Sequence, residues 1–391
     1  MNTAKINSRW NDAMLDRVRH LGDPVADAPV AAVLDRGGVD AVNAIMRTLV
    51  RVDQPVPAEL PTELEAYLTD SLALPEWADL AKIERGQRVF ETWGVHICVC
   101  LFYASLPASY AAAKGVQVLR LTARLDTDAR RRVMETGQFL LDVLAVGGLG
   151  DDGKGRRTIQ HVRLMHAAVR HLITTRGARE PGLWDPAWGR PLNQEDLAGT
   201  LLAFSMVVTQ PLERLGVHLS DEDVDAYLHL WNVIGHQLGI CDELLVRDLD
   251  DATALLEAIT RRQFAASTAG REMTEALLEL LDELTPGRRF DDMNPAMIRY
   301  LIGDEIAGFL MVPESDLVDE LGAVTRFADG FVDRVLGGSD RYSPWRLAAR
   351  TLGLELLQTM VTKNRGGERA PFDIPDHLAD NWGLQAPVGV C

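Results

Sequence analysis

Arg156–Ile173 reads RRTIQHVRLMHAAVRHLI, and its spacing decides the fold class. Wound as an α-helix, Ile159, Val162, His166, Val169 and Ile173 recur every three or four residues and share one face. Working outward from that stretch, apolar residues keep helical spacing almost everywhere, while the alternating Val/Ile/Thr runs of β-strands are scarce. The expectation is an all-α protein. Helices are expected over 38–52, 77–90, 93–119, 127–146, 157–174, 193–210, 220–238, 250–285, 315–336 and 343–363. Asn193 before Asp196, Ser220 before Asp223, and the run Asp126, Thr127, Asp128 supply helix-start signals. The Pro-rich stretch Val52–Pro61 (VDQPVPAELP) looks like a linker, which divides the chain into an N-terminal helical arm, 1–61, and a main domain, 62–391.

The 391 residues are 47% hydrophobic and 25% charged, enough to bury a large core. Forty basic against 57 acidic residues give a net charge of -17, which repels phosphate backbones and excludes nucleic acid as a partner. The one dense basic run, Arg130 to Arg132, sits beside Asp126 and Asp128 as a solvated helix start. Cys98, Cys100, Cys241 and Cys391 form no Cys-x-x-Cys pair, no covalent haem motif and no disulfide framework, as suits a reducing compartment. The opening MNTAKINSRWNDAMLDRV has no hydrophobic signal core, so a cytoplasmic location is expected. Val95–Ala113 (VHICVCLFYASLPASYAAA) is uncharged and long enough to span a bilayer. His96, Ser105, Pro107 and Ser109 interrupt it, however. A buried helix broken near Pro107 accounts for every residue, and no integral membrane span is expected.

His166 interrupts an apolar stripe, and two readings stand. It is a core histidine satisfied by a hydrogen bond, which spacing alone favours, or it is an axial ligand whose neutral ring coordinates haem iron beneath aliphatic neighbours. Ala167 and Ala168 leave room for a flat group beside the backbone. In the segment Thr127–Val146, Arg132, Thr136, Leu140 and Val143 share a face, with Phe139 adjoining. There the guanidinium and hydroxyl either polarise a bound oxygen species or face solvent, and spacing favours solvent. His229 and His236, seven apart, are rival ligands, though two core histidines is the simpler reading. The loop GLGDDGKG places Gly148, Gly153 and Lys154 at phosphate-loop spacing. Gly155 stands where a Ser or Thr is needed and no strand precedes, so it reads as a helix connector. Motifs for zinc hydrolases and serine esterases are absent.

Several stretches then point one way. VRLMHAAVR (Val162–Arg170) resembles the proximal-helix signature of the latex-clearing protein and MpaB-type oxygenase family. Similar matches follow at LPEWAD (Leu74–Asp79), LTARL (Leu121–Leu125), the glycine loop, NQEDLAGTLLAFS (Asn193–Ser205), YLHLW with GHQLG (Tyr227–Gly239) and FDIPDHL (Phe372–Leu378).

The resemblance covers roughly Leu74 to Gly383. It implies a globin-like helical core with additional helices, and a non-covalent haem b pocket between core helices. It also implies His166 as iron ligand, Arg163 and Thr200 supporting the pocket, and Arg132 and Thr136 on the distal side. The implied reaction is oxidative C=C cleavage or hydroxylation, with dioxygen and a hydrophobic small molecule or polymer as partners. A non-catalytic haem sensor or carrier is the alternative. The chain departs from the family at Lys114–Gln117, where no distal carboxylate occurs, and at Glu135, where some members carry lysine. Glu135 is either a relocated base facing the haem or a solvated helix residue, the second being the favoured reading. With no export signal either, polyisoprene does not follow as substrate.

Overall fold

Polar side chains start the helices where the sequence places them. Asn193 Oδ1 accepts from the Asp196 N–H at 3.0 Å and Ser220 Oγ from the Asp223 N–H at 3.2 Å, each satisfying an orphan donor of a first turn. The computed structural model describes residues 8–49, 62–71, 73–122, 128–284 and 293–314. Within them lie α1 (Asp12–Arg19), α2 (Pro24–Leu49), α3 (Thr62–Asp70), α4 (Leu80–Cys100), α5 (Leu106–Ala111), α6 (Val116–Thr122), α7 (Asp128–Leu144), α8 (Gly155–Gly177), α9 (Gln194–Phe204), α10 (Met206–Arg214), α11 (Asp221–Gln237), α12 (Leu249–Gln263), α13 (Thr268–Leu284), α14 (Met293–Ile302) and α15 (Asp304–Phe309). No strand occurs among the described residues, and the all-α expectation holds.

Several boundaries differ from expectation. Pro107 does not break its helix. A π-helical turn, Leu101–Ser105, precedes it, and the Leu106 N–H reaches back to the Leu101 carbonyl, so the ladder is already shifted where proline lacks a donor. The break comes at Ala112–Gly115, where Ala112 pairs with Phe264 in an isolated antiparallel bridge. The same bridge divides the expected 250–285 helix into α12 and α13, and Ser205 divides 193–210 into α9 and α10. The expected 38–52 helix is the tail of α2, which begins at Pro24, and α14 was not anticipated. Val52–Pro61, 315–336, 343–363 and the caps Asp126 and Thr127 lie outside the described residues.

α4 runs along α11 and α2 along α8. One apolar cluster joins residues of α1, α2, α4, α7, α8, α9 and α11, including Leu15, Phe90, Leu144, Ala167 and Trp231. A second gathers Tyr103, Tyr110, Leu277 and Met297. A third, small one joins Val118 of α6 to Val169 and Ile173 of α8. Leu80–Ala111 is apolar and long enough to cross a membrane, yet 56% of its most apolar window is buried against other helices, as a core helix would be.

Candidate active site

α7 and α8 meet at a turn whose glycines are required by close backbone approach. A Cβ on Gly148 would stand 2.3 Å from the Asp142 carbonyl oxygen, and one on Gly153 would stand 2.2 Å from that of Gly148. Gln87 of α4 bridges the join, its Nε2 donating to the Val143 carbonyl at 3.2 Å and its Oε1 accepting from the Gly147 N–H at 3.1 Å. The glycine loop is therefore the helix connector the sequence implies. It borders a surface depression of about 780 Å³ that Gln138, Asp142, Asp151 and Lys154 help to line.

Thr158 Oγ1 donates to Asp142 Oδ2 at 2.8 Å, which fixes the register of the α7–α8 pair. Counting equal steps outward from that bond brings His166 level with the turn of α7 that carries Arg132, Glu135 and Thr136, roughly 12 Å from the bond at 1.5 Å per residue. Arg132 lies in the backbone of α7, but its side chain falls outside the described residues. Glu135 is only 9% exposed, so the solvated reading of this residue is corrected by the structure. Thr136 is half-buried, and Phe139, Leu140 and Val143 extend the same flank as buried apolar surface.

His166 is half-buried with Nδ1 shut away from solvent. Along its stripe, Ile159 and Val162 belong to the large apolar cluster and Val169 and Ile173 to the small one, so the imidazole stands at the seam between two apolar bodies. Arg163 is buried, and its Nε and Nη2 grip both oxygens of Asp23 at 2.6 and 2.8 Å while Nη1 donates to the Gln237 carbonyl at 3.1 Å. Those bonds keep the guanidinium charged, and its pKa is raised although burial pulls the other way. Thr200 is exposed on α9 and its Oγ1 donates back to the Asp196 carbonyl at 2.8 Å. The structure buries Arg163 and Glu135, leaves His166 and Thr136 half-buried on the neighbouring helices α8 and α7, and leaves Thr200 on the surface.

The rival histidines are not core residues. His229 and His236 are half-buried and set edge-on to the exposed Trp77, with ring centroids 5.8 and 5.7 Å away. His229 Nε2 accepts the Asp79 N–H at 2.9 Å, and His236 Nδ1 meets Asp242 at 3.2 Å. Two carboxylates that sequence reasoning did not single out, Asp23 and Asp27, hold the two arginines of the VRLMHAAVR motif. A carboxylate beside a proline at a helix start resembles ordinary capping, which conceals this use.

Among the described residues no group of three His, Cys, Asp or Glu side chains could hold a bare metal ion. A single imidazole holds iron firmly when a macrocycle supplies the remaining ligands, so a half-buried histidine whose stripe joins two apolar clusters fits a haem iron.

The fold is that of an α-helical protein, and the family match makes its class that of an oxygenase. The family profile described as ER-bound oxygenase mpaB/B'/Rubber oxygenase, catalytic domain, matches residues 88–331, and the chain belongs to that family. The chain is similar to the rubber oxygenase of Streptomyces sp. (strain K30), with 28% identity over 309 residues, 77% of this chain and 73% of that protein. It also matches the structure of latex clearing protein LCP in the closed state, with a TM-score of 0.72 and 25% identity over 92% of this chain and 95% of that one.

Proposed function

We propose that this oxygenase binds haem b non-covalently, with neutral His166 as the axial ligand, and cleaves or hydroxylates a lipophilic alkene of isoprenoid type. Cleavage of the C=C bond is the preferred reaction, because the similar proteins are named for rubber and latex. Bound haem would supply the iron at which dioxygen is activated. The reading is supported by His166 on a stripe whose neighbours belong to two apolar clusters, with buried Glu135 and half-buried Thr136 on the adjoining helix α7.

Each side chain then has a physical task. His166 offers a ring nitrogen that can ligate iron when the imidazole is neutral. Thr136 offers a hydroxyl that can donate to an oxygen atom on the distal side, and Arg132 supplies a permanent positive charge there. Glu135, held out of water on the turn shared with Thr136, can take up or return a proton at a carboxylate oxygen. That role fits a chain with no carboxylate at Lys114–Gln117. Phe139, Leu140 and Val143 present buried apolar surface along the same flank of α7, which suits a hydrocarbon.

An absorption spectrum tests the ligand. Wild-type protein shows a Soret band, and His166→Ala loses it while keeping its helical circular dichroism. Oxygen uptake with an isoprenoid tests turnover and separates an oxygenase from a haem carrier. An unchanged rate in Arg132→Ala removes the distal assignment.

A further inference from the structure

We propose that Asp23 and Asp27, at the start of α2, are positioning residues for His166. They fix the rotation of α8 about its own axis and so aim the imidazole. What the ring is aimed at rests on the haem reading; the grip itself does not.

The argument begins with angles. At about 100° per residue, Arg163 and Arg170 project to one side of His166, by roughly 60° and 40°, while Val162 and Val169 project by similar angles to the other. The ring stands between a charged ridge and an aliphatic one. On the charged ridge, Asp23 takes Arg163 through two oxygens at 2.6 and 2.8 Å. Asp27 bonds the Arg170 guanidinium, which is 1% exposed and also donates to the Leu192 carbonyl at 3.2 and 3.0 Å. Arg190 backs Asp27 at 3.0 Å.

Valine contacts have no preferred direction and allow a helix to roll, whereas a two-pronged guanidinium–carboxylate contact does not. The two grips lie one turn to either side of His166. A roll of about 20° would carry an imidazole nitrogen, some 6 Å from the helix axis, through about 2 Å, enough to lose a coordinate bond.

The surroundings are shaped for these pairs. A Cβ on Gly22 would lie 2.6 Å from Asp27 Oδ2, and one on Gly239, whose φ is +85°, would lie 2.4 Å from Asp23 Oδ2 and 2.7 Å from Arg163 Nε. Bare backbone therefore closes over both carboxylates. Gln194 Nε2 ties the two closures together, donating to the Gly22 carbonyl at 2.8 Å and the Gly239 carbonyl at 2.9 Å. Asp23 and Asp27 both precede residues 88–331, the span the family profile matches.

The test uses the full chain. Asp23→Asn alone strands a buried guanidinium and can unfold the protein, so the informative variant is the pair Asp23→Asn with Arg163→Gln, which removes both charges together. Asp27→Asn is a second reading of the same quantity, because Arg170 there keeps its bonds to Leu192. Both variants are expected to take up haem, to release it to apomyoglobin about 10–100-fold faster than wild type, and to show a displaced ferric electron paramagnetic resonance spectrum, with Asp23→Glu partly restoring both. Wild-type release rates and spectra in both variants overturn the proposal.

If wild-type protein takes up no haem, the haem reading fails by itself, and the grip is judged in the apoprotein. Modification of His166 by diethyl pyrocarbonate, followed by mass spectrometry, should then be faster in both variants with buried His161 unchanged. Equal rates at His166 overturn the proposal.

Discussion

α8 is held by opposite means on its two sides. Toward α7 it is joined by glycine turns and close backbone contact, and by a side-chain bond from Thr158 to Asp142. Toward α2 it is joined by buried ion pairs drawn from more than a hundred residues away. Close packing without directional bonds sets how near two helices lie; paired charges set how one is turned.

The difference can be broken most forcefully at Arg163. Arg163→Met leaves Asp23 buried without its cation, and a loss of about 3–5 kcal/mol in urea unfolding is expected. Gly153→Ala places a methyl group against the Gly148 carbonyl on the other side. It should cost about 1–3 kcal/mol by the same measurement, and a larger loss there than at Arg163 would reverse the ranking of the two sides. Thr158→Val removes the bond that sets the α7–α8 register. About 1.5 kcal/mol should be lost, with little change in His166 modification.

An exposed join of the polar kind sharpens the contrast with the smallest effect. Asp79 caps α4 through the Ala81 and Lys82 N–H groups, and its own N–H donates to His229 Nε2. Burial, then the nearby Lys82 charge, pulls the His229 pKa below its ordinary 6.5, against the opposing pull of Asp79 and Asp225. The folded state therefore prefers the neutral ring. This contribution is fully present above pH 6.5 and declines as pH falls through the window beneath it, because the unfolded chain then binds the proton more readily. Urea titrations from about pH 7 to about pH 5 should show that decline reduced in His229→Gln, and identical slopes would remove this account.

The helical class and α7, α8 and α11 were legible because helical periodicity and polar caps are local signals, whereas His166 as an iron ligand came from the resemblance of VRLMHAAVR, periodicity alone favouring a core histidine. Pro107 misled because a neighbouring π turn, which leaves no mark in the residue pattern, absorbs the missing donor. The Ala112–Phe264 bridge divides two helices through a contact between distant residues, beyond any window of local pattern. Glu135 was misjudged because burial of a carboxylate depends on which helices surround it. Asp23 and Asp27 escaped for a related reason: a partner 140 residues along the chain makes a buried carboxylate indistinguishable from a capping one.

The placement of Asp23 and Asp27 has a practical consequence for anyone trimming this protein to its family-matched core. Cutting at residue 88 would keep the whole of α8 and its histidine yet discard both counterions. Arg163 and Arg170, side by side on one ridge of α8, would both lose their carboxylates, and the shortened chain is expected to lose the alignment of that helix even with every residue of the VRLMHAAVR motif in place.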